Sequence, residues 1–223
     1  MRKFLIFMFG ILLLFAITGV ANAGLLKIGT ATCGGSDYNL IWNDDNNGNS
    51  LIWFDYTNEA LGWEDQKAWA AGLDSSLTYH IDASYAITWI DEAWRLPSAE
   101  ADPNAGYERT SEMGNLYYEE FGLQKRTGEP YYEDADLNDE TCFDNLSVER
   151  YYWSGTESQN NPANALAFWL GNGFQGALTK TTNDFLGLAV RSGQVDTVSA
   201  PEPATILFLG FGLIGLAGLR RNA

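Results

Sequence analysis

The sequence is poor in the residues on which most nucleophilic and metal sites depend. Its 223 residues include one histidine, His80, and two cysteines. A Ser-His-Asp or Cys-His system would have to use His80, which has no nucleophile motif such as G-x-S-x-G beside it. There is also no C-x-x-C pair or Cys/His cluster of the kind that binds zinc. We therefore predict a non-catalytic protein with no catalytic residues.

Basic residues are scarce as well. The chain has 13 Lys and Arg against 29 Asp and Glu, which gives a formal net charge of −16. Because Arg2, Lys3, Arg220 and Arg221 lie close to the two ends, the residues between them are more acidic still. Such a surface repels phosphate backbones, so we expect no nucleic-acid partner. Cations are the more natural small partners.

The N-terminus has the anatomy of a secretory signal peptide. Met1-Arg2-Lys3 is a short basic region, residues 4–20 are apolar, and Ala21-Asn22-Ala23 is a small-x-small cleavage site. We expect signal peptidase to remove residues 1–23 by cutting after Ala23. Export would bring the chain into an oxidising compartment.

The two cysteines, Cys33 and Cys142, both lie in the exported part. In an oxidising compartment such a pair is most simply a disulfide, which would close a loop of roughly 110 residues and contribute about 3–5 kcal/mol. Two free thiols are the alternative.

Hydrophobic periodicity predicts strands and two helices. The apolar runs at residues 37–42 and 51–54 flank an Asn/Asp/Gly tract, which predicts a hairpin with a longer loop. Residues 63–73 have the spacing of a short amphipathic helix. A second helix is predicted from a cap at Thr110 or Ser111 to Phe121, with Gly122 just beyond it.

The order of several short motifs resembles a known family. The carriers are Leu51-Ile52-Trp53, Ala68-Trp69-Ala70, Trp94-Arg95-Leu96-Pro97, Tyr152-Trp153-Ser154-Gly155-Thr156, Ala165-Leu166-Ala167-Phe168 and Ala189-Val190-Arg191. Together they resemble the Lcl C-terminal-like domain of bacterial surface proteins, a branch of the C-type-lectin-like fold. The resemblance covers about residues 39–192. It implies an α+β domain at residues 24–198, with two helices packed on a twisted, mainly antiparallel sheet and long loops.

We expect the residues of these motifs to serve the fold. The tryptophans should be core residues, and the arginines should be partners in structural ion pairs. The predicted structural set is Trp53, Trp94, Arg95, Leu96, Pro97, Trp153, Ser154 and Arg191. A functional surface is then expected away from Trp94-Arg95-Leu96-Pro97, in the acidic loops.

The C-terminal tail, residues 199–223, is similar to the PEP-CTERM sorting signal. It consists of Pro201-Glu202-Pro203, an apolar segment at residues 204–219, and Arg220-Arg221. As a helix the apolar segment would span about 24 Å, just short of a hydrocarbon core. The resemblance implies a Gram-negative bacterium, a transient inner-membrane anchor, recognition and removal of the tail by an exosortase, and delivery to the cell surface or matrix. A plain C-terminal anchor is the alternative.

The Asn/Asp tract is the best candidate for a metal site. Asn43, Asp45 and Asn47, followed by Gly48, match the first, third, fifth and sixth positions of a calcium loop. The twelfth position is Phe54 instead of a bidentate Glu, so a solvated hairpin loop is the alternative. Ca²⁺ is the one cofactor that the sequence suggests.

These observations predict an exported, exosortase-processed protein of the cell surface or extracellular matrix. Polysaccharide is its expected ligand, because aromatic side chains beside acidic acceptors suit sugar stacking. Two other functions remain open at this point, a secreted glycan-active enzyme and a purely structural matrix component. A cleft with two convergent carboxylates would favour the enzyme.

Overall fold

The computed structural model of the protein describes residues 24–100, 103–138 and 142–198. The predicted signal peptide with its cleavage site at Ala23, the sorting motif at 201–203, and Arg220 and Arg221 lie outside the described residues. Within the described ranges, no helix is both long and apolar enough to cross a membrane.

Nine strands form one mixed sheet in the described part of the chain. They are β1 (Leu25–Cys33), β2 (Ser36–Asn46), β3 (Asn49–Leu61), β4 (Thr78–Ile81), β5 (Tyr85–Trp89), β6 (Tyr151–Glu157), β7 (Asn164–Trp169), β8 (Phe174–Thr179) and β9 (Phe185–Thr197). The order across the sheet is β4-β1-β2-β3-β9-β6-β7-β8, and β5 also pairs with β9. The pairing of β6 with β9 is parallel, and the other pairs are antiparallel.

The predicted hairpin around the Asn/Asp tract is present, but its loop is much shorter than expected. Asn46 pairs with Asn49, so the connection from β2 to β3 is the two residues Asn47 and Gly48. Both have positive φ angles, 51° and 86°. An Asn-Gly pair adopts this conformation at little cost, and the resulting turn matches the twist of the strands. The polar residues before the turn therefore belong to strand β2.

The helices of the described residues are short. They are α1 (Trp63–Gly72), α2 (Glu112–Asn115) and α3 (Asp134–Asn138), with a 3₁₀ turn at Leu73–Ser75 and a π-helical turn at Leu116–Glu120. The predicted cap at Ser111 is present, because its hydroxyl accepts a hydrogen bond from the backbone N–H of Gly114.

The core has two parts, one on each face of the sheet. Along β3, Ile52 and Phe54 belong to one buried cluster, whereas Leu51 and Trp53 belong to the other. Successive side chains of a strand point to opposite faces, so β3 is buried on both sides. Trp63 of α1 packs in the first cluster, whereas Met113, Leu116 and Tyr117 of α2 and the π-helical turn pack in the second.

The expectation of an α+β, C-type-lectin-like fold with two packed helices is wrong. Strands hold 45% of the described residues and helices only 16%, so the fold is mostly β. The second predicted helix is a four-residue α-helix continued by the π-helical turn. Helix periodicity in this short segment thus predicts a longer helix than the fold contains, and the polar tract before Asn47 is the end of a strand.

The predicted Cys33–Cys142 disulfide is also wrong for this fold, since both cysteines are free. Cys33 ends β1, whereas the Cys142 thiol lies 3.5 Å from the carbonyl oxygen of Leu25 at the start of the same strand. At about 3.3 Å per residue the strand holds the two thiols roughly 26 Å apart. Cysteines whose Cα atoms are more than about 7 Å apart cannot form a bridge.

Candidate functional site

A cleft of about 540 Å³ lies beside the Trp94-Arg95-Leu96-Pro97 segment. It is bounded by the β2–β3 turn, one side of α1, the residues that start α2 and the end of β6. The cleft therefore lies where the sequence predicted only structural residues.

Backbone hydrogen bonds hold this segment between two strands. Arg95 and Val190 of β9 exchange both of their N–H···O bonds, at 3.0 and 2.9 Å. The N–H of Gly155 in β6 donates to the carbonyl of Pro97 at 2.9 Å. The wall of the cleft is thus an extension of the sheet.

Arg95 and Glu112 form the electrostatic centre of the cleft. The two Nη atoms of Arg95 lie 2.7 and 2.8 Å from the two carboxylate oxygens of Glu112, and its Nε lies 3.3 Å from Asp91. Burial lowers the pKa of Arg95, but the hydrogen bonds and charges of Glu112 and Asp91 outweigh this effect and raise it. Glu112 also accepts the N–H of Ser98 at 2.6 Å. Neither oxygen of Glu112 is left without a partner.

Arg191 has a structural role behind this wall. Its Nη1 lies 2.6 Å from a carboxylate oxygen of Asp74, and its other nitrogens donate to the carbonyls of Asp91 and Glu92. Burial tends to raise the pKa of Asp91, but hydrogen bonds from Ser192 and the charge of Arg95 lower it below its ordinary value. Arg95 and Arg191 both form ion pairs in the structure.

The other predicted structural residues are buried around these ion pairs. Trp53, Trp94, Leu96, Trp153 and Ser154 are each at most 4% exposed. The backbone carbonyl of Ser154 accepts a 2.7 Å hydrogen bond from the indole of Trp63, which ties β6 to α1.

Asn46, one of the residues that line the cleft, carries an unpaired acceptor. Asn46 is fully buried, and its Nδ2 donates to the backbone carbonyl of Glu112 at 3.1 Å. Its Oδ1 has no hydrogen-bond partner. A buried acceptor without a partner costs about 1–3 kcal/mol. A ligand hydroxyl that reached Asn46 Oδ1 would recover that free energy.

The remaining lining of the cleft is polar and balanced in charge. Lys67 and Arg95 are its cations, and Glu100 and Glu112 are its anions. Hydroxyl groups come from Ser98, Thr110 and Thr156. The lining therefore suits a neutral ligand rich in hydrogen-bonding groups.

Trp94 does not offer a face for stacking. The side chain is 1% exposed, packs against Phe54 and Trp89, and donates its indole N–H to the hydroxyl of Tyr79 at 2.7 Å. A ligand in this cleft would be held by hydrogen bonds and not by stacking on this ring.

A second pocket lies on the other side of the β2–β3 turn. Its lining is Asp45, Asn47, Gly48, Asn115, Glu119 and Glu120. Burial raises the pKa of Glu120; the hydrogen bond from Asn43 opposes this rise, and the charges of Asp44 and Asp45 add to it.

The residues of the predicted calcium loop are divided by the hairpin. Asn43 and Asp45 belong to strand β2, and Asn47 belongs to the turn. Asn43 is fully buried, whereas Asp45 and Asn47 are exposed and line the second pocket. In the described ranges no three His, Cys, Asp or Glu side chains form a group that could hold a metal. Calcium binding by this set stays a prediction.

His80 lies on the surface of β4. Its Nε2 is 3.0 Å from the hydroxyl of Thr32, which donates to Asp37. In a catalytic triad the carboxylate orients the imidazole, whereas here the carboxylate contacts the hydroxyl. The geometry is that of a surface hydrogen-bond chain.

Comparison with known families identifies the C-terminal tail. A family model described as the PEP-CTERM protein-sorting motif matches residues 199–221. The motif indicates an exported protein that is a target of exosortase. No family match supports the resemblance of residues 39–192 to the Lcl C-terminal-like domain. No curated protein and no solved structure matches the chain significantly.

Sequence patterns singled out Asp45, Asn47 and Arg95, but they did not single out the other polar residues of the two pockets. Asn46 is buried because the pairing of β2 with β3 shifts between Asn43 and Asn46, and no pattern in the sequence predicts such a bulge. Glu112 carried a weak signal, since an acid directly after a helix cap is common. Its contact with Arg95 depends on the tertiary fold.

Proposed function

We propose that this exported protein is a non-catalytic component of the cell surface or extracellular matrix of a Gram-negative bacterium, and that its cleft binds a neutral polysaccharide. Signal peptidase removes residues 1–23. Exosortase then recognises Pro201-Glu202-Pro203 and releases the domain from a transient inner-membrane anchor. The match of residues 199–221 to the sorting motif supports the export and sorting steps.

The observation that carries the binding proposal is the unpaired Oδ1 of Asn46, a residue that lines the cleft. Sugars present many hydroxyl groups, each of which can donate one hydrogen bond and accept others. The amides of Asn47 and Asn49 and the hydroxyls of Ser98 and Thr156 offer further partners. The balanced charges of the lining favour a neutral sugar over a uronic acid or a phosphate.

A glycan-active enzyme is the second candidate function, because Glu100 and Glu112 line the same cleft. Glycoside hydrolysis requires one carboxyl group that gives a proton to the leaving oxygen. Glu112 is held by Arg95 and Ser98 through both oxygens, which suits an ionised structural carboxylate better than a proton donor. For this reason we favour binding over hydrolysis.

The test is a glycan array probed with the purified full chain, followed by titration calorimetry on the strongest glycan. We expect Asn46→Leu, which keeps the approximate shape of the side chain but has no hydrogen-bond acceptor, to lose at least about tenfold in affinity, equivalent to about 1.4 kcal/mol. Asn160→Ala, at an exposed asparagine outside the cleft, should bind like the wild type.

Three outcomes would contradict the proposal. Wild-type affinity in Asn46→Leu would place the binding surface elsewhere. No signal on any glycan would favour a purely structural matrix component. If the wild type releases reducing sugar and both Glu100→Gln and Glu112→Gln do not, the protein is better described as a glycan-active enzyme.

A further inference from the structure

The second pocket holds several oxygen atoms that lack cationic partners. It lies between the β2–β3 turn and the π-helical turn that follows α2, with a volume of about 620 Å³. Its carboxylates are those of Asp45, Glu119 and Glu120.

An unpaired amide oxygen lies beside these carboxylates. Asn115 lines the pocket, is 9% exposed, and its Oδ1 has no hydrogen-bond partner. Behind it, Asn43 is fully buried and donates its Nδ2 to Glu120 Oε1 at 2.8 Å, while its own Oδ1 is unpaired. A buried acceptor without a donor loses its interaction with water and gains none in exchange. A bound cation would supply the missing interaction.

Among the described residues, ion pairs neutralise only part of the negative charge of this pocket. Arg109 lies 3.2 Å from Glu119, and both side chains are half exposed. No ion pair reaches Asp45 or Glu120 within the described ranges; Asp45 accepts the N–H of Gly48, and Glu120 accepts from Asn43. The carboxylates of Asp45 and Glu120 and the amide oxygen of Asn115 form an all-oxygen donor set of the kind that hard metal ions prefer.

We propose that this pocket binds a calcium ion through the carboxylates of Asp45 and Glu120 and the amide oxygen of Asn115, with water completing the shell. Every donor is oxygen, which suits Ca²⁺ and disfavours zinc or copper. Ca²⁺ accepts flexible shells of six to eight oxygens that include Asn carbonyls, whereas Mg²⁺ demands a compact octahedron. An open pocket with amide donors suits the larger ion.

This site differs from the calcium loop expected from the sequence. It shares Asp45 with that loop, but its other ligands come from residues about 70 positions further along the chain. The fold brings them together because Asn46 donates to the carbonyl of Glu112, which holds the hairpin against α2. The proposal of a calcium site holds whether or not the cleft binds a glycan.

Titration calorimetry of the purified, chelator-treated full chain with CaCl₂ tests the proposal. We expect one calcium ion to bind with a Kd of about 10⁻⁴–10⁻³ M, the range of extracellular calcium modules, and to raise the midpoint of thermal unfolding. Glu120→Gln and Asn115→Ala should each weaken calcium binding by at least about tenfold. Glu149→Gln, which removes an exposed carboxylate elsewhere, should bind calcium like the wild type.

Circular dichroism in the absence of calcium shows whether each variant is folded. If Asn115→Ala fails to fold, Glu120→Gln decides alone, because it preserves the size and shape of the side chain. No saturable calcium heat up to about 10 mM would overturn the proposal. Equal loss in Glu149→Gln would also overturn it, because calcium would then be bound diffusely by the acidic surface.

Discussion

Arg95 and Glu112 form a two-pronged ion pair that joins the wall of the cleft to the first turn of α2, with N···O distances of 2.7 and 2.8 Å. The pair is partly buried, since the side chains are 35% and 11% exposed. Because Arg95 also pairs with β9 through its backbone, this contact fixes the second helical segment to the centre of the sheet.

The geometry of this pair predicts the effect of replacing Arg95. Lysine keeps the charge but cannot place two nitrogens against one carboxylate, so Arg95→Lys should lower the free energy of unfolding by about 1–3 kcal/mol. Urea denaturation of both proteins at neutral pH measures the difference. Arg109→Lys is the matched control, because Arg109 and Glu119 are exposed and should contribute less than about 1 kcal/mol. Equal losses in the two variants would contradict the assignment.

A buried carboxylate predicts how stability depends on pH. Asp55 is fully buried and accepts hydrogen bonds from the backbone of Asp144 and from the backbone and side chain of Asn145. Burial raises the pKa of Asp55 to about 6 despite these hydrogen bonds. The folded state therefore binds a proton more readily than the unfolded state, so the contribution of Asp55 to stability is complete at low pH and is lost as the pH rises through about 6.

Acidification from pH 7 to pH 5 should accordingly stabilise the wild type, relative to Asp55→Asn, by about 1 kcal/mol. Urea denaturation at the two pH values measures this difference. In the surface variant Asp196→Asn, the free energy of unfolding should depend on pH as it does in the wild type. If the free energy of unfolding changes with pH in the same way in the wild type and in Asp55→Asn, the pKa of Asp55 is not raised.

The positions of the two thiols predict that oxidation does not join them within one chain. Cys33 is the last residue of β1, whereas Cys142 contacts Leu25 at the start of that strand. A monomer that has been exposed to oxidant should therefore still have two titratable thiols after it is unfolded. Intact-mass measurement of the alkylated, non-reduced chain should show two alkyl groups. Cys33→Ser should change the free energy of unfolding by far less than the roughly 2–5 kcal/mol expected on loss of a native disulfide. A monomer with no reactive thiol would contradict the fold around β1.

The sequence predicted some local features, but it did not predict the arrangement of the elements. The cap at Ser111 and the hairpin of β2 and β3 depend on neighbouring residues, and both are present, although the hairpin loop is shorter than predicted. The pairing of β9 with β3, β5 and β6 depends on contacts between distant segments, which periodicity does not encode. The same limit applies to the sites, because Asn46 and Asn115 acquire unpaired oxygens only through tertiary burial.

The sorting tail predicts a change in processing. Exosortase recognition centred on Pro201-Glu202-Pro203 should fail in a Pro201→Ala, Pro203→Ala variant, which would accumulate with its tail in the membrane fraction. Immunoblots of cell fractions with an antibody against the domain distinguish the longer and shorter forms. Asn222→Ala lies outside the matched residues 199–221 and should be processed normally. A wild-type protein found in the cytoplasm with its tail intact would contradict the sorting proposal.

The last prediction follows from the position of Asn47, which lines both the cleft and the proposed calcium pocket. A calcium ion on Asp45 would fix the two-residue turn, and the turn carries the asparagines at the edge of the cleft. Calcium should therefore raise the affinity of the cleft for the glycan. We expect an increase of about fivefold, which is near the lower end of the range typical of coupling between two binding sites. Reciprocity then requires the glycan to raise calcium affinity by the same factor.

Calorimetric titration of the glycan with calcium and with chelator measures this coupling. Glu120→Gln should bind the glycan as the calcium-free wild type does, because Glu120 lies outside the cleft, and should show no increase on addition of calcium. If glycan affinity in the wild type is the same under both conditions while calcium still binds, the turn does not transmit the effect and the two sites are independent. An increase that persists in Glu120→Gln would instead assign the calcium effect to a different set of ligands.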